Sequence, residues 1–349
     1  MRRGLIAYSK SELPEAVLDA RIARLRASME AAGLDALLIY TNNTRAAGVS
    51  WLTGFVPYWS EALLVVPRER EPVLVAALSY RVKRWIEATS RVAEVIHGPR
   101  IGLETGRFLG AWNAEAAVGI PDLDGLPAGI FHDLRQGGPR LAVSDATTLF
   151  AALRTAADPA EIALAMKAAA IAHRALARTW EAPASQGEII AAVEAQARTD
   201  GAEEIYVAAA PDLSRECRLK RIEGEATVGK AFALRATVAY KGTWIRLLRT
   251  FALGMRTEEA AARLAAAVAK LPSAHGFAGL SFWLVEGCRI AQPLEPLMGS
   301  RVATSHQLAP GALVSVQAAF EIDGASLLVG APALLGRQGE AARVLVHPF

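Results

Sequence analysis

The stretch YKGTWIRLLRTF, Tyr240 to Phe251, decides how the second half of the chain is read. Its bulky apolar residues alternate as in a strand, and the pattern sets Arg246 and Arg249 among residues that pack inward. An unpaired buried charge is costly. What these two cations face is therefore the first question the sequence raises.

Outward from that strand, KAFALRATVAY and EEIYVAAA read as two more strands upstream, and TEEAAARLAAAVAKLP as a helix downstream. From GLSFWLVEG onward, strands alternate with turns marked by Pro and Gly. Two helices come before all of these. PAEIALAMKAAAIAHRALARTWEA is alanine-rich, and SQGEIIAAVEAQARTDG is opened by Ser185 with Glu188 at the capping-box position. Helices and strands interleave without regular βαβ spacing, so residues 151–349 are expected to form an α+β domain. Residues 1–150 read as an α/β unit. In it, LDARIARLRASMEAAG is a helix ending at Gly33, and DALLIYT, EALLVVP, EPVLVAAL, VAEVIHG and LAVSDAT are strands. SYRVKRWIEAT and TTLFAALRTA read as helices, the second capped by Ser144 or Asp145. The Gly- and Pro-rich segment from Arg100 to Gly138 carries no readable element.

Composition narrows the classes. At 349 residues the chain is long enough for two cores, and 52% hydrophobic with 21% charged residues is a folded composition. A formal charge of +3 is too small for a nucleic-acid face. No signal peptide and no apolar run of membrane-spanning length is read, so a soluble, cytoplasmic protein without nucleic-acid or membrane partners is expected. The 2 cysteines, Cys217 and Cys288, make no disulfide framework, and the 6 histidines lack metal-site spacing.

Several of these stretches, taken in order, resemble the pita-bread family, which includes creatinase, prolidase and aminopeptidase P. RIARLRASMEAAGLDALLIYT followed by WLTGF is similar to the start of the family's N-terminal domain. LRTAADPAEIALAMKAAAIAHRAL is similar to the junction into its catalytic domain. YKGTWIRLLRTF, GLSFWL and LAPGALVSVQAAF look like the strands that supply metal ligands. The resemblance implies a creatinase-like N-terminal α/β domain followed by a C-terminal pita-bread domain, and a homodimer. It also locates the residues where the metallopeptidase branch holds two divalent ions. The two Asp positions fall on Arg235 and Arg246, the His on Phe282, and the two Glu on Gln317 and about Ala331. The two substrate-handling histidines fall on Arg218 and Arg289. A guanidinium has no lone pair to offer a hard cation, so no metal and no cofactor are expected.

Two readings of the arginines stay open beside a misregistered metallopeptidase. In one, Arg218, Arg235, Arg246 and Arg289, with Gln317, bind a small carboxylate- or phosphate-bearing ligand. In the other, each arginine pairs with an internal carboxylate such as Glu216, Glu223, Glu225, Glu286 or Glu321. Arg249 is set equally as a structural ion pair or a ligand contact. Arg45, in TNNTRAAG, occupies a loop that in creatinase-like dimers reaches a neighbour's pocket. For a metal-free hydrolase or lyase, Glu286 is the first acid–base candidate, with Glu321, Asp323 and His275 behind it. The cysteines precede Arg218 and Arg289 directly, and strand alternation turns them away from a pocket that those arginines face. A non-catalytic, anion-binding or regulatory protein is the alternative to an enzyme.

Overall fold

The computed structural model describes the chain apart from residues 1–8, 43, 44, 46, 58, 59, 178–183, 222, 223, 253–255, 289–300, 303–307, 338 and 349. The chain divides into two compact units, Arg2–Arg154 and Thr155–Phe349. No helix among the described residues is long and apolar enough to cross a membrane.

The first unit is a mixed sheet covered on both faces. Its strands are β1 (Ala36–Thr41), β2 (Ala62–Pro67), β3 (Val73–Ala76), β4 (Glu94–His97), β5 (Ala117–Ile120) and β6 (Ala142–Asp145), in the order β4-β3-β2-β1-β5-β6. β2 is antiparallel to both β1 and β3, while the remaining neighbours run parallel. Burial on both sides explains why these strands read as continuous apolar runs rather than as alternations. Leu37 and Ile39 pack with Leu25 and Met29 of α1 (Glu15–Ala31) and with Trp51 of α2 (Ala47–Thr53). Between them, Ala36 and Leu38 point the other way, toward Ile101 and Leu109 of α4 (Ile101–Trp112) and Leu134 of α5 (Ala128–Gly137). α3 (Lys83–Thr89) and α6 (Thr147–Leu153) join the first of these two layers through Ile86 and Phe150.

The segment Arg100 to Gly138 thus holds two helices and a strand. Its glycines permit an unusually close helix pair. A Cβ on Gly106 of α4 would lie 2.4 Å from the Leu134 carbonyl oxygen and 2.8 Å from the Gly138 amide nitrogen, and one on Gly137 would lie 2.3 Å from the Leu103 carbonyl oxygen. Glycine here makes room for backbone-to-backbone packing, not for a turn.

The second unit opens with α7 (Pro159–Leu176), capped by Asp158, which accepts from Glu161 N at 2.9 Å, and α8 (Gln186–Thr199), with Ser185 and Glu188 forming a capping box. Its sheet contains β7 (Glu204–Ala210), β8 (Ala231–Tyr240), β9 (Thr243–Ala252), β10 (Trp283–Gly287), β11 (Arg301–Val302), β12 (Leu313–Ile322), β13 (Ala325–Leu334) and β14 (Arg343–Val344). The order is β11-β10-β12-β13-β9-β8-β7, with β14 on β13. One face packs against α7, α8 and α9 (Thr257–Val268) to form the main core, including Leu234, Ile245, Val316, Val329 and Val285. The opposite face carries a smaller apolar patch with no helical member: Ala208, Ala231, Ala233, Leu248, Ala319 and Leu328 among others. The functional question concerns that second face.

The two α7–α8 ends are tied by Arg174, whose Nε donates to Asp200 Oδ2 at 2.8 Å. The hydrogen bond from Arg174 holds the Asp200 carboxyl below the usual aspartate value, against the opposing effect of burial. A depressed folded pKa contributes stability above the unfolded pKa of about 4 and loses it as pH falls through the folded value. Asp200→Asn is therefore expected to flatten the acid limb of a melting-temperature-against-pH curve below roughly pH 4, leaving neutral-pH cooperativity intact. Unchanged curvature would contradict that role.

Candidate functional site

Strand alternation sorts the side chains on the helix-free face. On β8, Arg235 and Thr237 continue the parity of Ala231 and Ala233. On β9 the set is Arg246, Leu248 and Thr250, on β12 Ser315, Gln317 and Ala319, and on β10 Leu284 and Glu286, out of phase with the core residues Trp283 and Val285. The pairing registers then stack them in rows. Arg235 stands opposite Leu248, Leu248 opposite Gly330, Gly330 opposite Gln317, and Gln317 opposite Leu284. In the adjacent row Thr237 stands opposite Arg246, and Ser315 stands between Pro332 and Glu286.

Two polar bridges cross the sheet along these rows. Arg235 Nη1 donates to Gln317 Oε1 at 3.4 Å, and Arg246 Nε lies 3.0 Å from Glu286 Oε1 in an ion pair. Arg235, Arg246, Glu286 and Gln317 are each at most 1% exposed. Gly330 leaves the path open for the first bridge, because a Cβ there would sit 2.9 Å from Gln317 Cγ and 2.8 Å from the Val316 carbonyl oxygen. Thr250 does not share in the bridges. Its hydroxyl donates to the Leu328 carbonyl at 2.7 Å and accepts from Leu328 N at 2.9 Å, tying β9 to β13.

The residues singled out from the sequence divide accordingly. Arg235, Arg246, Gln317 and Glu286 come together. Arg246 faces Glu286, so the internal pairing holds for that arginine, and a carboxylate committed to a buried guanidinium is poorly disposed as a mobile acid–base group. Arg249 lies on the opposite face, packed toward α7, where its Nη1 donates to the Leu176 carbonyl at 3.2 Å and its guanidinium sits 5.3 Å from the Phe251 ring centre. Burial pushes its pKa down. It does not join the cluster, because it lies three places along the strand from Arg246, an odd offset that turns it to the other face. Arg218 is exposed in the loop after β7, and Arg289 lies outside the described residues. His275 is exposed in a short 3-10 turn, its ring Nδ1 against the Ser273 hydroxyl. Arg45 donates to the Gly125 carbonyl at 2.6 Å within its own unit. Glu321 accepts from the Ser326 hydroxyl at 2.5 Å, and Asp323 accepts from Arg256 at 2.9 and 2.6 Å, which occupies both turn carboxylates structurally. Cys288 is buried in the main core, away from the cluster, whereas Cys217 is half-buried against the apolar patch on the cluster's own face.

Among the described residues, this face offers no set of ligands for a divalent ion: no group of three or more His, Cys, Asp or Glu side chains is arranged to hold one. At the positions where ligands are implied stand two guanidiniums, an amide and Phe282, which packs against the apolar patch. Ala331 is in the helix-covered core, so the residues of that strand on the helix-free face are Gly330 and Pro332 rather than Ala331. Two further groups on this face escaped the sequence reading: Thr237 and Ser315, 1% and 0% exposed. The period of two would have found them, since each lies two places from an arginine or amide already singled out.

Residues 21–156 match the family model of the creatinase/prolidase N-terminal domain. No curated protein matches the sequence significantly. Among solved structures, the chain is similar to a prolidase from Pyrococcus furiosus, with a TM-score of 0.65, 15% identity, and coverage of 92% of this chain and 98% of that one. An Xaa-Pro dipeptidase from Bacillus anthracis gives 0.66 at 17% identity, covering 94% and 97%. An X-Pro aminopeptidase from Thermotoga maritima gives 0.68 at 15%, covering 93% and 97%. At such identities the likeness speaks for the fold alone. The first unit thus carries a creatinase/prolidase-type N-terminal domain, and the whole chain shares the fold of these prolidase and aminopeptidase structures.

Proposed function

We propose that this chain is a metal-independent pita-bread protein whose central site binds a small anionic ligand and does not carry out metal-assisted hydrolysis. The observation that carries the reading is the pair of bridges on the helix-free face, with Arg235 and Arg246 buried where the resemblance implies carboxylate ligands. Guanidinium groups keep such a site positive while removing its capacity to coordinate a cation or activate a bound water. Binding is favoured over turnover because Glu286 is engaged by Arg246 and His275 sits at the surface in a local turn. Fixed guanidiniums and amides are suited to carboxylate or phosphate oxygens.

The second reading, an Xaa-Pro metallopeptidase, is favoured by the activities of the structural neighbours. Melting experiments separate the two. On the proposed reading, citrate or phosphate at about 100 times its dissociation constant stabilises by roughly 2.7 kcal/mol, while Mn2+, Co2+ and Zn2+ have no effect. Saturable stabilisation by a divalent ion, with chelator-sensitive hydrolysis of an X-Pro dipeptide, would establish the peptidase instead.

A further inference from the structure

We infer that Gln317, Thr237 and Ser315 form the donor set that contacts the ligand, and that the ligand is a small oxyanion bearing a carboxylate or a phosphate. This rests on the anion-binding reading and assigns it atoms. Gln317 is the anchor. Its Oε1 accepts from Arg235 Nη1, and a guanidinium can only donate, so the amide orientation is set by its partner. Nε2 is then a buried donor, and it has no hydrogen-bond partner among the described residues. The hydroxyls of Thr237 and Ser315 are in the same condition, each on a side chain no more than 1% exposed.

Buried polar atoms in folded proteins are nearly all bonded. Here three orphans share one face and two adjacent rows: Gln317 is joined to Arg235, Thr237 stands opposite Arg246, and Ser315 opposite Glu286. What the group lacks is an acceptor, because the amide nitrogen can do nothing but donate. Beside two guanidiniums, the acceptor with the strongest pull is an anion. Glu286 is held at Arg246 and has Ser315, not Gln317, across the ladder from it. An oxyanion with several acceptor oxygens on this face would supply the acceptors that Nε2 and the hydroxyls lack.

The test is calorimetric titration and thermal melting of the full chain with sodium acetate, citrate and inorganic phosphate, against chloride at matched ionic strength. The wild-type protein is expected to bind saturably in at least one arm, and the arm that binds identifies the ligand class. Gln317→Glu replaces the donor by an acceptor of nearly equal shape and gives Arg235 an anionic partner. It is expected to weaken binding at least tenfold while leaving the ligand-free melting temperature unchanged or raised, an outcome that a merely structural role would not produce. Thr237→Val and Ser315→Ala, which conserve packing, are each expected to weaken binding several-fold and keep the proposal testable if Gln317→Glu does not fold. Wild-type affinity retained in folded Gln317→Glu or in both hydroxyl variants would overturn the donor assignment while leaving the anion reading in place. Absence of binding by every anion in the wild type would overturn both.

Discussion

Glu286→Ala is expected to destabilise the unit Thr155–Phe349 by about 3–5 kcal/mol, the range for breaking a buried ion pair. For a unit of this size that corresponds to a fall of roughly 6–20 °C in melting temperature. The reason is asymmetry. Arg246 is 0% exposed, so removing its counter-ion strips a buried cation of compensation without giving it water. The companion double variant, Arg246→Met with Glu286→Leu, removes both charges at similar volume and is expected to restore most of the loss, because apolar replacement of a whole buried pair is commonly neutral or better. Urea denaturation of the four proteins in the cycle isolates the coupling. A single-variant cost below about 1 kcal/mol, typical of exposed pairs, would mean that the two side chains do not meet inside the protein.

Gly106→Val is the other large effect, in the first unit. The added atoms meet the Leu134 carbonyl and the Gly137–Gly138 backbone, at 2.4 to 2.9 Å for the first carbon alone. Backbone on both sides cannot rotate aside as a flexible side chain can, so α4 and α5 must separate and expose Leu109 and Leu134, both 0% exposed now. Overpacking typically costs 1–3 kcal/mol. With backbone on both sides of the contact the upper end is expected, about 3 kcal/mol, or roughly 6–12 °C. Helix propensity improves slightly on losing glycine and does not offset this. Calorimetry comparing Gly106→Val with Gly129→Val, where the same Cβ meets nothing within 4 Å, separates packing from propensity. Equal melting temperatures would contradict the close helix pair.

These two sites mark what a single sequence discloses. Apart from β5, which falls in the unread segment Arg100 to Gly138, the longer strands were legible from their apolar runs, and α8 from Ser185 and Glu188, because local hydrogen bonding at a cap is written in adjacent residues. The α4–α5 pair was not legible. Its glycines carry the same letters as a loop, and only the approach of a distant segment shows that they serve packing. In the site, the grouping of Arg235, Arg246 and Gln317 was implied by the family resemblance. That Arg249 turns toward α7 was already implied by its odd spacing from Arg246. The partnership of Arg246 with Glu286 was not, since the pair is joined across intervening strands whose order no local pattern states. Thr237 and Ser315 went unmarked because hydroxyls in strands are ordinary, and only burial without a partner makes them notable.

Metal stoichiometry tests the central claim most directly. Protein purified without chelator, then incubated with excess Mn2+, Co2+ or Zn2+ and desalted, is analysed by inductively coupled plasma mass spectrometry. The expected result is a trace well below one ion per chain for each metal, unchanged in Arg246→Met. One or two ions per chain, retained through desalting, would contradict the replacement of a metal centre by arginines.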